Sequence, residues 1–113
     1  AAGYSIVSDL FTTNITINLT TGNFFEIDLE TAAAITTFTI SNPHASQLSS
    51  FILQITQTYP AIDIKWSEIT NFKWVAGIGP TLTTTNNKVD TFSFTTWDNG
   101  TSWYGKVVGQ NFT

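Results

Sequence analysis

The sequence predicts an all-β fold, an antiparallel β-sandwich of jelly-roll-like form with about eight short strands. Apolar and polar residues alternate with period two along much of the chain, the pattern of a strand with one face in the core and one in water. Asn99-Gly100 stands between two aromatic runs, and this dipeptide accepts the two positive φ angles that a type I′ hairpin turn requires. Turn-forming residues interrupt the chain about every 8–12 residues, the spacing of a sandwich or barrel.

The elements follow in order. Ile15, Ile17 and Leu19 alternate with Asn14, Thr16 and Asn18, and Thr21-Gly22-Asn23 reads as a turn. Phe25, Ile27 and Leu29 then alternate with Glu26, Asp28 and Glu30. Ile35 to Ile40 is a β-rich run broken by Asn42-Pro43, and Pro43 to Ser50 reads as a loop. Phe51, Leu53 and Ile55 alternate with Gln54 and Thr56 up to the break at Tyr59-Pro60. Ile62, Ile64 and Trp66 follow at spacing two. Ser67 to Pro80 is irregular, with a bend at Gly77-Ile78-Gly79-Pro80. Thr81 to Thr85 is a short polar strand or extended loop, and Asn86-Asn87 is a turn. Lys88 to Trp97 pairs with Thr101 to Val108 across the hairpin. No helix is expected: Ala32-Ala33-Ala34 makes at most one turn, because its neighbours lack a 3.6 period.

At 113 residues the chain is expected to form one domain, residues 1–113, with 1–13 as an N-terminal linker or arm. A chain of this size buries roughly 65% of its unfolded surface, enough for one core without staples. There is no Met, so Ala1 is expected to be a processed end or part of a longer chain. Charged residues make up 11%, against a usual share of about 25%. The polar surface must therefore come from Thr, Ser, Asn and Gln. The net charge is −4 and the four cations, Lys65, Lys73, Lys88 and Lys106, are scattered. That argues against nucleic acid, which needs clustered cations, and against an anionic membrane surface. With no Cys there is neither a disulfide framework nor a thiolate metal site. No apolar run approaches the ~20 residues of a membrane-spanning helix.

Few residues suggest chemistry. Glu26, Asp28 and Glu30 share one strand face and have the oxygen ligands a hard cation takes; the plainer reading is a charged edge that deters aggregation. Asp98 before Asn99-Gly100 resembles the start of a calcium loop, but turn chemistry explains the same residues. His44 is the single histidine and follows Pro43. No acid is near it in sequence, and the serines around it (Ser41, Ser46, Ser49, Ser50) sit in no nucleophile elbow. The Asn-x-Thr triplets at Asn14, Asn18, Asn99 and Asn111 match the glycosylation pattern and arise by chance in so Asn- and Thr-rich a chain. The rings of Tyr59, Trp66, Trp74, Trp97, Trp103 and Tyr104 fill a core or stack on sugars. Along Thr101 to Val108, Trp103, Gly105 and Val107 share one face and Tyr104, Lys106 and Val108 the other. Apolar bulk on both faces suggests a strand covered twice, by the core and by a subunit neighbour.

One ordered series carries a family likeness: Trp74; Gly77-x-Gly79-Pro80-Thr81-Leu82-Thr83; Lys88-Val89-Asp90; Phe92-x-Phe94; Asp98-x-Gly100-x-x-Trp103-Tyr104-Gly105; Gly109-Gln110-x-Phe112. It resembles a β module recurrent in bacteriophage virion proteins, of the C-terminal tail-fibre and appendage type common in aquatic and cyanobacterial phages. Upstream, Asn18-Leu19-x-x-Gly22-Asn23-Phe24-Phe25, Phe38-Thr39-Ile40-Ser41-Asn42-Pro43, Phe51-x-Leu53-x-Ile55-x-Gln57 and Ile64-x-Trp66 fit the same pattern, so the likeness spans roughly residues 14–112. The chain departs from it at three points. Ala76-Gly77-Ile78-Gly79 spreads an expected Gly-Gly pair, Asn99-Gly100 replaces Gly-Gly in the hairpin, and Asp63-Ile64-Lys65 lacks a Pro before Trp66.

The resemblance implies a non-enzymatic structural protein of the virion, an extracellular particle. Its role there would be a tail-fibre or appendage component displaying a receptor-binding surface. A capsid decoration (cement) protein is one alternative, and a carbohydrate-binding module or adhesin subunit another. The expected partners are further copies of the chain, as a homotrimer, other virion proteins, and a host cell-surface glycan; neither nucleic acid nor membrane insertion is expected. Trp97, Asn99, Trp103 and Tyr104 are the expected glycan or interface contacts. No catalytic residue, metal or cofactor is expected.

Overall fold

A computed structural model of the chain describes residues 4–7, 14–20, 22–29, 36–43, 48–57, 63–85 and 87–112, with only the backbone of 4–7, Asp28 and Leu29. The protein is all-β. Eight strands are present among the described residues: β1 (Tyr4–Val7), β2 (Asn14–Asn18), β3 (Phe24–Leu29), β4 (Thr37–Ser41), β5 (Ser49–Gln57), β6 (Phe72–Lys73), β7 (Val89–Thr96) and β8 (Trp103–Phe112). They form a six-stranded sheet, ordered β1-β3-β5-β7-β8-β6, and a second sheet of β2 and β4.

The expectation of a wholly antiparallel arrangement is corrected. β1 runs parallel to β3, β3 to β5, β2 to β4 and β6 to β8; only β5–β7 and β7–β8 are antiparallel. The chain alternates between the sheets from β1 to β5, so each strand returns beside its predecessor pointing the same way. Parallel neighbours need a crossover, usually a helix; here a strand of the opposite sheet fills that role. β1 itself lies within the residues expected to be a linker or arm.

The two sheets share one core. Ile15 and Ile17 of β2 and Phe38 of β4 are buried with Phe25 and Ile27 of β3, Phe51, Leu53 and Ile55 of β5, Phe92 and Phe94 of β7, and Trp103 of β8. Each set has the period-two spacing that puts alternate side chains on one face. The segment after residue 63 closes this core without a long strand. Ile64, Trp66, Ile69, Phe72 and Leu82 are buried from it; Trp66–Glu68 is a single 3₁₀ turn, and Val75–Gly77 is a tight turn with Ala76 and Gly77 at positive φ. Ile64 and Trp66 thus point inward as their spacing suggested, but the described residues 63–66 hold only an isolated bridge at Ile64, and Thr81–Thr85 is an extended loop. The hairpin strands are Val89–Thr96 and Trp103–Phe112, the second reaching four residues past the expected Val108. His44, Ser46, Tyr59, Pro60, Ile62, Glu30 and Ala32–Ala34 lie outside the described residues.

Candidate functional site

The β7–β8 hairpin positions the candidate contacts. Asn99 (φ 60°) and Gly100 (φ 86°) adopt the two positive angles expected of a type I′ turn, and the Thr101 amide donates to the Asp98 carbonyl at 3.4 Å. Side chains then lock the turn. The Asp98 Oδ1 accepts the Ser102 amide at 3.0 Å and the Thr96 hydroxyl at 2.8 Å, while the Thr96 Oγ1 accepts the Gly100 amide at 3.0 Å. The Ser102 amide, followed by the Thr96 hydroxyl, holds the Asp98 carboxyl below its ordinary pKa. These acceptors answer backbone donors, so Asp98 serves the turn.

Trp97 and Tyr104 stack across this hairpin with ring centroids 4.2 Å apart and planes 3° from parallel. Thr95 faces Tyr104 in the ladder, so Trp97 and Tyr104 form a diagonal pair on the outward face. Trp97 is 62% exposed, and Asn99 beside it is exposed. The stack covers one face of each ring and leaves an indole surface at the tip.

Trp103 is corrected as a contact residue. It is 0% exposed and packs edge-to-face on Phe51 with ring centroids 5.1 Å apart. The same alternation that turns Tyr104 outward turns Trp103 inward. Gly105, next on that inner face, is buried under Phe94 and Trp74; a Cβ there would lie 2.8 Å from each ring. Beyond it β8 leaves the core, and Lys106, Val107 and Val108 are all exposed. The expected second covering of this strand therefore has no occupant within the described chain.

Other candidates separate. Glu26 accepts the Gln54 amide at 2.8 Å on the outward face of the large sheet; the Asp28 side chain and Glu30 are outside the described residues. Among the described residues no three of His, Cys, Asp and Glu cluster closely enough to hold a metal. Trp66 and Trp74 belong to the aromatic packing, with centroids 4.8 Å apart and planes at 69°. The indole N–H groups of Trp66, Trp74 and Trp103 are buried without a hydrogen-bond acceptor. Each ring sits edge-to-face with an aromatic neighbour, whose negative face is a weak acceptor surface.

A cavity of about 420 Å³ lies beside this cluster, lined by Trp66, Ser67, Thr70, Phe72, Lys73 and Trp74 among others. It brings hydroxyls and one ammonium together, but no base beside a nucleophile. A second, of about 240 Å³, lies between the turn at Val75–Gly77 and the edge of β8, lined by Trp74, Val75, Ile78, Pro80, Gly105 and Val107 among others.

Asp90 is a residue whose role the sequence did not reveal. It is buried on β7 and accepts the Thr83 amide at 2.7 Å, the Gln110 side-chain amide at 3.0 Å and the Asn111 amide at 2.9 Å. Gln110 also donates to the Thr81 carbonyl at 2.7 Å. This carboxylate joins β7, the irregular end of β8 and the extended loop. Lys88-Val89-Asp90 and Gly109-Gln110 stood in the motif series without a reason; Asp90–Gln110 pairing supplies one. No family model, curated protein or solved structure matches this chain.

Proposed function

We propose that this chain is a non-enzymatic structural module of a bacteriophage virion, a homotrimeric tail-fibre or appendage component that presents the β7–β8 hairpin tip outward. The observation that carries this reading is the exposure of large apolar side chains on β8 and the turn beside it: Val75, Ile78, Val107, Val108 and Phe112. A patch of this kind on a folded chain marks a protein contact. Low charge and a surface of Thr, Ser and Asn suit close packing of copies in a long-lived particle. The two facing sheets suit a β-sandwich, and the parallel winding of the β1–β5 half departs from a jelly-roll connection.

Antibodies to the chain test this on the intact particle. Labelling of the appendages, with blocked attachment to host cells, is the expected result. Labelling confined to the capsid shell would replace the fibre reading with that of a decoration protein, and no labelling of any particle would overturn both.

The Trp97–Tyr104 stack favours a second reading, a carbohydrate-binding module or adhesin subunit, because an exposed indole face receives the C–H face of a sugar. That reading predicts saturable glycan-array binding by the isolated chain, lost in Trp97→Ala. Binding that survives this substitution would remove the hairpin tip from consideration.

A further inference from the structure

The six-stranded sheet has two open edges among the described residues. At one end β1 pairs only with β3. At the other, β6 covers β8 only at Trp103 and Tyr104. The Trp103 amide donates to the Asn71 carbonyl at 2.8 Å, which fixes the side to which that residue's main-chain groups point. Main-chain groups alternate sides along a strand, so Gly105 and Val107 turn theirs to the same edge. There the β6 chain departs at Trp74, and no described strand takes its place; Gly105 is buried beside the Trp74 ring and Val107 is exposed. The space alongside is the 240 Å³ cavity, and on its far rim Val75 and Ile78 are 80% and 74% exposed.

The directions of the strands say what fits. β5 is antiparallel to β7 and β7 to β8, so β8 runs with β5, β3 and β1; β6 is parallel to β8 as well. The two edges therefore have matching polarity. A copy rotated about an axis along the strands presents its β1 to β8 in the orientation β6 already uses. Lengths agree too. β1 has four residues, and the open part of β8 from Gly105 ends at the irregularity where Phe92 pairs with Val107 but Thr91 with Gly109. Charge adds to this: Lys106 is on the outward face at the β8 end, and Glu26 is on the same face of β3, next to β1.

We propose that β1 of a second copy docks in parallel on the β8 edge at Gly105–Val107, in line with β6, and that repetition of this contact closes a ring of copies. This rests on the homo-oligomer proposed above and names its contact. Each copy gives one edge and receives another, so the interface is heterologous, and ring closure pairs both open edges of the six-stranded sheet. The exposed Val75, Ile78 and Val107 flank the incoming strand.

Edge-blocking variants test the proposal by solution mass. Val107→Pro removes an amide facing the open edge, where proline is tolerated. Of the adjacent pair Ser5→Pro and Ile6→Pro, one removes an outward amide of β1. The wild type is expected as a closed multiple and each blocked variant as a monomer with an unchanged circular-dichroism spectrum. A mixture of the β1-blocked and β8-blocked chains is expected to give a species of twice the chain mass, since one intact edge of each kind remains. A wild-type oligomer that survives Val107→Pro, or a mixture that stays monomeric, overturns the docking and leaves the oligomer standing; a monomeric wild type overturns both. Should Val107→Pro fail to fold, hydrogen exchange of the wild type decides. Gly105 and Val107 amides that slow as concentration rises support the contact, and rates independent of concentration overturn it.

Discussion

The two halves of this molecule hold their strands by different means. In the β5–β7–β8 half, neighbours are antiparallel, the core is rich in aromatic rings, and side chains fix the ends: buried Thr96 with exposed Asp98 at the turn, buried Asp90 at the opposite end. In the β1–β4 half, neighbours are parallel, the buried residues of β2 are aliphatic, and the side-chain contacts between the β2 and β4 segments are exposed. Asn18 accepts the Thr20 hydroxyl at 2.8 Å and the Asn42 side-chain amide at 2.8 Å, and Asn14 accepts the Thr39 hydroxyl at 3.2 Å. A hairpin closes a short loop, while each wound pair waits for a long excursion through the other sheet, so the hairpin half is the easier to form.

If the aromatic half is the keystone, its core should tolerate loss least. Phe94 is fully buried, with ring centroids 4.4 Å from Phe72, 5.1 Å from Phe51 and 5.4 Å from Trp74. Phe94→Ala is expected to cost about 3–5 kcal/mol, and Ile17→Val in the second sheet about 0.5–1.5 kcal/mol. Urea midpoints of both variants measure this, and equal losses would abolish the distinction.

Asp90 sharpens the comparison, since no buried carboxylate like it is present among the described residues of the wound half. Asp90→Ala leaves the Thr83 and Asn111 amides and the Gln110 side chain without their buried acceptor, a loss of about 3 kcal/mol. Asp90→Asn keeps one acceptor oxygen and should lose less. Urea denaturation tests both. If Asp90→Ala is as stable as the wild type, the carboxylate does not lock these segments.

The same contrast governs what could be read in advance. The hairpin was legible because its information is local: Asn99-Gly100 specifies the turn, and alternation fixes faces on each side. Period two also placed Phe51, Leu53, Ile55, Ile15 and Ile17 inward. It says nothing of strand direction, which the length and path of the connections decide, so the parallel ladders were invisible. β6 is two residues long and has no period to detect. Alternation puts Trp103 on a face with Gly105, but only its packing on Phe51 shows that this face is the core. Asp90 reads as one polar residue of an alternating strand, and its three donors come from Thr83, Gln110 and Asn111, which no local pattern joins to it.

The turn itself predicts a smaller effect. Asn99 holds a left-handed backbone that a Cβ without a polar side chain disfavours by about 1–2 kcal/mol. Asn99→Ala should lower stability by about 1 kcal/mol, whereas Asn99→Gly should stay close to wild type. Equal destabilisation by both would mean that the Asn side chain, not its backbone angle, secures the hairpin.

Asp98 predicts the smallest effect, one confined to acid. Its folded pKa is depressed below the ordinary 3.8 by the Ser102 amide and then the Thr96 hydroxyl. A depressed carboxyl contributes stability that is complete above its unfolded pKa and is lost as pH falls through the folded one. The hairpin half should therefore weaken below about pH 4, as protonation removes the charge that both donors face. In Asp98→Asn this part of the acid dependence should disappear, while stability near neutral pH drops slightly because the amide accepts more weakly than the carboxylate. Urea midpoints from neutral pH down to about pH 2.5 compare the two chains. Parallel curves would show that Asp98 carries no charge-dependent part of the turn. A converging pair would tie the hairpin tip, and the Trp97–Tyr104 stack it supports, to that single carboxylate.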